Sequence, residues 1–241
     1  MDTVESRKKI GFPSKQEEWC ESPALFDEHT LRIAGHPVME DWEQNYMDML
    51  GSIATSGGGK VLELGYGLGL SAAAIQAHDI ESHFVIECHP DVIRKAVTDF
   101  KVAIDMSKMH VYSGFWQDVT PTLASGIFDG ILFDTYPLRE EEIHGNHFWF
   151  FKEAYRLLKP GGILTYYSDE ALHIPPSHVQ KLVDAGFRRR DVSFQVCDVN
   201  PPADCEYWQA NTIVAPIVRK APTVRLPLVS RRHRETVKGR G

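Results

Sequence analysis

The sequence predicts an α/β fold in which a mostly parallel, seven-stranded sheet carries helices on both faces. Three observations predict it. Short apolar runs alternate with helical patterns from Lys60 onward, and that alternation builds parallel strands joined by crossover helices. Glycines crowd the first strand-to-helix turn, in VLELGYGLGLS. The apolar run FDGILFD ends on a carboxylate, Asp134, with Thr135-Tyr136-Pro137 turning the chain behind it.

The elements follow in order. KVLEL (60–64) reads as a strand and SAAAIQAH (71–78) as the helix after the glycine turn. HFVIEC (83–88) is the second strand, and DVIRKAVTDFK (91–101) a helix with apolar residues near helical spacing. MHVYSG (109–114) and FDGILFD (128–134) are the next strands. HFWFFKEAYRLL (147–158) is a helix ended by KPGG, whose proline and glycines cannot continue it. GILTYYS (162–168) is a strand, HVQKLVDAG (178–186) a helix, and DVSFQVCDV and NTIVAPIVR are the last two strands. No internal repeat or linker interrupts this run, so residues 31–220 form one domain. Residues 1–30 hold no strong periodic element and form either a frayed end or a flap carrying Trp19 and Phe26.

Composition narrows the function classes. The 241 residues are 43% hydrophobic and 24% charged, as in a globular protein able to bury its own core. Four cysteines (Cys20, Cys88, Cys197, Cys205) show no CxxC spacing and no partner histidine pattern. That argues against a zinc site or a disulfide framework and for a reducing cytoplasm. No signal peptide and no membrane span is expected. Net charge is −7, yet the stretch from Arg219 holds eight Lys/Arg and one acid, leaving 18 bases against 32 acids in the body. Such a body repels a phosphate backbone and tolerates a cationic substrate. The basic stretch 221–241 reads as a solvated tail.

Gly65, Gly67 and Gly69 let the backbone turn tightly and approach a ligand without a β-carbon in the way. A G-x-G stretch by itself is equally a plain βα turn. About twenty residues on, the second strand ends in Glu87, beside Cys88 and His89. An acid there can accept both hydroxyls of a ribose. The two features together point to a nucleoside. A dinucleotide fingerprint wants a glycine at position 70, where this chain has Leu70; the pattern is instead Glu63-x-Gly65-Tyr66-Gly67-x-Gly69. Trp116 and Gln117, followed by Asp118 after the third strand, are candidates for the adenine edge; Trp116 is equally a core residue.

That acid-and-glycine pattern resembles the first motif of Rossmann-like, S-adenosylmethionine-dependent class I methyltransferases. DTYPL (134–138), RIAGHPVMEDWEQNYM (32–47), LLKPGGILTY (157–166) and NPPADCEYW (200–208) resemble guanidinoacetate N-methyltransferase and its relatives that methylate arginine guanidino nitrogens. The resemblance covers about residues 25–219. It implies S-adenosylmethionine as cofactor, S-adenosylhomocysteine as product, and a guanidino group as acceptor. It also implies that two acids handle the guanidinium: Asp134 as general base and Glu43 as clamp. A guanidinium is always protonated in water and has no free lone pair. One carboxylate can grip its planar fork while the other takes the proton as the new bond forms. Taken alone, Glu43 reads as an exposed acid on an amphipathic helix. The family further places methionines of this N-terminal helix against the cofactor, matching Met39 and Met47, which otherwise read as core. An N-terminal aromatic closes the site in the family, and Trp19 stands a couple of residues from that place.

The chain departs from the family after LLKPGGILTY. The segment that binds the guanidinoacetate carboxylate through backbone amides is replaced by the shorter, acidic SDEALHIPPSH. Ser168, Asp169 and Glu170, with Tyr136, are the candidate contacts for the rest of the substrate. Acids there would repel a carboxylate and welcome a second cation such as an α-amine. A small arginine-derived guanidine, for example in a blasticidin-type antibiotic precursor, is therefore favoured. Guanidinoacetate held by other groups is the alternative. Protein arginine is less favoured, since no ankyrin-like N-terminal extension is seen. From other classes, a nicotinamide-dependent oxidoreductase lacks its glycine, and a non-catalytic cofactor-binding scaffold would not need both acids. A nucleic-acid methyltransferase is opposed by the acidic body. No metal and no membrane partner is expected. A homodimer is common among enzymes of this size, but the sequence does not encode it legibly.

Overall fold

The computed structural model describes residues 10–223. Its main sheet has seven strands: β4 (Lys60–Leu64), β5 (Ser82–Glu87), β6 (Met109–Ser113), β7 (Phe128–Phe133), β8 (Leu158–Tyr166), β9 (Val192–Asp198) and β10 (Thr212–Arg219). They lie in the order β6-β5-β4-β7-β8-β10-β9. The chain leaves β4 toward β5 and β6, then returns to place β7 on β4's other side. That reversal opens a crevice beyond the carboxyl ends of β4 and β7, where open parallel sheets bind ligands. Only β10 breaks the parallel order, running antiparallel to both β8 and β9.

The central strands are apolar along their length because both faces are covered. Val61 and Leu132 face one layer, formed by α2 (Gln44–Thr55), α3 (Leu70–Gln76) and α4 (Pro90–Asp99). Leu62, Leu64, Ile131 and Phe133 face the other, formed by α7 (Asn146–Leu157) and α8 (Pro176–Asp184). On α7 the buried Phe150, Phe151, Ala154 and Leu157 recur at helical spacing and make one stripe against the sheet. Tyr46 ties α2 to the sheet, its buried hydroxyl donating to the Val214 carbonyl at 2.9 Å. The remaining helices are short: α1 (Gln16–Glu21), α5 (Lys101–Asp105) and α6 (Trp116–Val119).

Four expectations need correction. Residues 24–40 are neither frayed nor helical. They form a three-stranded antiparallel sheet of β1 (Ala24–Phe26), β2 (Thr30–Ile33) and β3 (His36–Glu40). Ala34 and Gly35 turn the chain at positive φ between β2 and β3, and buried Leu31 and Ile33 flank the half-exposed Arg32, a period of two. In consequence Met39 sits on a strand and Glu43 on a single 3-10 turn, Asp41–Glu43, ahead of the helix that carries Met47. The helix over 91–101 breaks at Phe100, and α5 restarts at Lys101. Finally, KPGG does not separate helix from strand. β8 begins at Leu158 because Gly161 and Gly162 exchange backbone hydrogen bonds with Lys220, at 2.8 and 2.9 Å, which draws the turn into the sheet. The basic tail lies outside the described residues from 224 onward.

Candidate active site

One cavity of about 610 Å³ occupies the crevice and follows the sheet order from β6 to β8. Under β4 to β6 its wall is Gly65, Gly67, Glu87, Cys88, Gly114, Phe115, Trp116 and Gln117. Under β7 and β8 it is Asp134, Tyr136, His144, Tyr167 and Asp169, joined by Glu43 and Tyr207. Trp19 and Met39 of the N-terminal region complete it.

The β4–β5 side is built from backbone. Gly65 has φ +84, and a β-carbon there would run into the Asp134 carbonyl, so only glycine lets β4 and β7 close up at their ends. Gly67, at φ +56, would place a β-carbon 2.7 Å from Met39 Sδ. That sulfur also accepts the Leu68 N–H at 3.3 Å, so the strand methionine braces the turn. Glu87 points back at the same turn. Its carboxylate accepts the N–H of Tyr66 at 2.9 Å, of Cys88 at 2.7 Å and of His89 at 2.8 Å. These charge-assisted bonds fix its rotamer before any ligand arrives. Trp116 is both core and wall: its ring meets Phe133 and Phe150 edge-on, at 5.8 and 5.3 Å, and it lines the cavity.

The β7–β8 side is built from side chains. Asp134 stands directly after β7, its N–H held by the Leu64 carbonyl at 2.9 Å. Glu43 is 2% exposed, not the solvent-facing helical acid its local sequence suggests. Its Oε1 accepts the Tyr207 hydroxyl at 2.5 Å and the Glu40 N–H at 3.0 Å, the latter as half of a reciprocal capping box. Burial and the neighbouring Asp134 charge push the Glu43 carboxyl up to about 8, against the pull of those two hydrogen bonds. Asp169 follows β8 with its Oδ1 3.1 Å from His144 Nδ1.

The N-terminal segment roofs the cavity. Trp19, 3% exposed, stacks on Tyr136 with centroids 5.1 Å apart and planes 10° from parallel. His36 Nε2 lies 2.7 Å from the Gly11 carbonyl, which can only accept, so the ring's Nδ1 receives the Tyr136 hydroxyl at 3.0 Å. Three further bonds pin the segment to the loop after β5 and the first turn of α4: Cys20 Sγ to the Cys88 carbonyl (3.3 Å), His89 Nε2 to the Ser22 carbonyl (2.7 Å) and the Ala24 N–H to Asp91 (3.0 Å).

Several sequence candidates stand off the cavity wall. Glu63 is wholly buried under α3, where it receives the Ser71 hydroxyl and lies 3.0 Å from His83 Nε2. Tyr66 turns its ring away, donating to Asp99 at 2.7 Å, and reaches the site only through its N–H. Gly69 and Leu70 begin α3, and Met47 is core. His89 caps α4. Phe26 lies exposed on β1. Ser168 donates to the Val214 carbonyl at 2.7 Å, and Glu170 faces His178 Nδ1 at 3.2 Å, so both belong to the packing of α8 and β10. Tyr207, Tyr167, His144, Glu141 and Glu142 also line the cavity, and none of them is a candidate from sequence reasoning. Tyr207 lies inside NPPADCEYW, so that motif was the available signal.

Fold and site together define a Rossmann-like α/β protein whose crevice cavity joins a glycine turn to an acidic wall. The chain belongs to the guanidinoacetate N-methyltransferase family, whose model matches residues 13–221. It is 35% identical over 139 residues to protein arginine N-methyltransferase 2 of Yarrowia lipolytica, covering 54% of this chain and 28% of that protein. It is 28% identical over 236 residues to the Aspergillus oryzae protein of the same name, covering 90% and 55%. The chain thus spans about half or less of the length of these relatives. Among solved structures it resembles spermidine synthase from Thermotoga maritima, with TM-score 0.61, 15% identity, and coverage of 83% of this chain and 73% of that one. A likeness at that identity concerns the fold. No helix among the described residues is long and apolar enough to cross a membrane.

Proposed function

We propose that this protein transfers a methyl group from S-adenosylmethionine to a guanidino nitrogen of a small molecule, as a cytoplasmic enzyme without nucleic-acid or membrane partners. The observation that carries the reading is the buried Glu43 beside the half-buried Asp134, in one cavity with the Gly65–Gly67 turn and Glu87. The residues present fit the cofactor. Glu87 is oriented at the strand end where a ribose is held, the turn admits close backbone approach, and the wall acids suit a ligand bearing a sulfonium and an ammonium.

When bound, S-adenosylmethionine supplies an electrophilic sulfonium methyl. Glu43 and Asp134 grip the guanidinium between them and exclude water from its planar fork. Arrival of that cation draws the Glu43 proton off, because an opposite charge at contact favours the carboxylate. Asp134, on the rigid end of β7, accepts the proton that leaves nitrogen as the nitrogen–carbon bond forms and the carbon–sulfur bond breaks. Tyr207 and the Glu40 N–H keep Glu43 from swinging. The acidic wall favours an acceptor with a second positive group, such as an arginine-derived amine of the blasticidin type, over guanidinoacetate.

The test is incubation with S-adenosylmethionine and a panel of guanidinoacetate, arginine, β-arginine, an arginine peptide and an amine-bearing guanidine, read by mass spectrometry. A methylated small guanidine supports the proposal. Methylation confined to the peptide would favour arginine residues, as the names of the relatives suggest. No methylated guanidine of any kind would overturn it.

A further inference from the structure

The acceptor half holds a hydroxyl that guanidinium binding by Glu43 and Asp134 does not explain. Tyr167 directly follows β8, its N–H held by the Phe133 carbonyl at 3.0 Å and its ring edge-on to Tyr46 at 5.3 Å. Both contacts fix the ring. Its hydroxyl is buried, forms no hydrogen bond to any described residue, and belongs to a side chain that lines the cavity. A buried polar group without a partner costs about 1–3 kcal/mol, so one held in a cavity wall calls for an explanation, and a ligand supplies one. Two residues along, Asp169 adopts φ +56 and faces His144, which adopts φ +58. Both line the same cavity. Positive φ is uncommon outside glycine, and these two facing residues are half of the four such non-glycine positions among the described residues.

The charge count leaves a place to fill. Burial pushes the Tyr167 hydroxyl well above its ordinary range, and the neighbouring Glu43, Asp169 and Asp134 oppose its ionisation further. A single guanidinium shared by Glu43 and Asp134 brings no positive charge to Asp169, which faces the His144 ring. Glu141 and Glu142 also line the cavity and add negative charge, and among the described residues Arg139 is the one Lys or Arg on the wall. An aliphatic carboxylate entering this end meets repulsion. A primary ammonium brings three donors and one positive charge.

We propose that Tyr167 and Asp169 form a second substrate subsite, which binds a primary ammonium on the acceptor and selects guanidino amines over guanidino acids. The Tyr167 oxygen accepts one ammonium N–H, and Asp169 accepts another and balances the charge. His144 holds the Asp169 carboxylate in place. The inference rests on the guanidino reading for the other end of the substrate. It does not depend on methyl transfer taking place.

Binding therefore provides the test. Protein saturated with S-adenosylhomocysteine is titrated calorimetrically with three guanidines of one chain length: agmatine, butylguanidine and 4-guanidinobutanoate. Agmatine should bind about 10-fold tighter than butylguanidine and about 100-fold tighter than the acid, the scale of one desolvated charge pair made or opposed. Asp169→Asn, which keeps the side-chain shape, should lower the agmatine to butylguanidine ratio by about 10-fold. Tyr167→Phe, which keeps the ring, should lower it by about 3-fold, the size of one hydrogen bond. Equal binding of amine and acid by the wild-type protein would overturn the subsite, with no variant needed. So would an agmatine preference that survives Asp169→Asn. Turnover with S-adenosylmethionine separates the two proposals. Agmatine that binds through Asp169 while no guanidine of any kind is methylated sinks methyl transfer and keeps the subsite. Equal methylation of all three sinks the subsite and keeps methyl transfer.

Discussion

The two halves of the cavity are made in different ways. Under β4 and β5 the wall is backbone: a turn that needs glycine at two positions, and a carboxylate held by three N–H groups within three residues of itself or one strand away. Under β7 and β8 the wall is side chain, brought together from segments around residues 43, 134, 144, 167 and 207. The first half is satisfied before a ligand arrives. The second leaves an acid buried beside another acid and a hydroxyl with no partner among the described residues. On the proposed function, the first half is a fixed cradle for the cofactor and the second an acceptor site whose unfavourable electrostatics a cation relieves.

If that contrast is right, the largest effect of any single change belongs to the acceptor half. Asp134→Asn should cut kcat by about 10²–10⁴, the range of a general base, while calorimetry finds cofactor affinity within about 3-fold of wild type. A variant with normal turnover would remove Asp134 from the proton-transfer role. Glu87→Ala should do the converse. It should weaken S-adenosylhomocysteine binding by about 10–100-fold, since three backbone donors and a ribose lose their acceptor together, with kcat at saturating cofactor nearly unchanged. Unchanged affinity would mean that the ribose is held elsewhere.

The halves should also differ in their pH dependence. Glu43 has its folded pKa raised from the ordinary 4.5 to about 8. The native state then holds a proton that the unfolded chain has lost between those values. Unfolding free energy should therefore fall as pH rises from 5 to 8, by up to ~1.4 kcal/mol per unit for this one group. The stabilisation is complete below 4.5 and gone once the pH passes 8. Glu43→Gln should flatten that slope in ligand-free protein, measured by urea unfolding across the range. A slope identical in both proteins would show that Glu43 is ionised in the empty site.

How much of this was legible follows the same division. The strand ending in Asp134, the glycine turn and Glu87 are local patterns, each written in consecutive residues, and the seven strands were recognisable from their apolar runs. Glu43 read locally as an exposed helical acid because nothing near it encodes Tyr207, which lies 164 positions away and joins it only in the folded state. Ser168 and Glu170 looked like site residues for the opposite reason. Their acidity and hydroxyl suited a substrate, but neighbouring elements satisfied them first. The three-stranded sheet over residues 24–40 is hard to read from the sequence although Leu31 and Ile33 alternate with Arg32, since the helix pattern of the flanking residues 41–47 dominates the segment.

The smallest expected effect sharpens the account of the acceptor half most. Tyr207 donates to Glu43 at 2.5 Å from within the cavity wall, and that hydrogen bond favours the carboxylate. Tyr207→Phe keeps the ring and removes only the hydroxyl, so Glu43 should become harder to ionise. The ascending limb of kcat/KM against pH, which reports the free enzyme, should move to higher pH by about 1 unit, the worth of a hydrogen bond to a charged group. Rates on the alkaline plateau should stay within about 3-fold of wild type, because the base at Asp134 is untouched. A lower plateau with no shift of the limb would assign Tyr207 to packing against Trp42. A shifted limb with the plateau kept would make it the residue that sets when the clamp is ready for a cation.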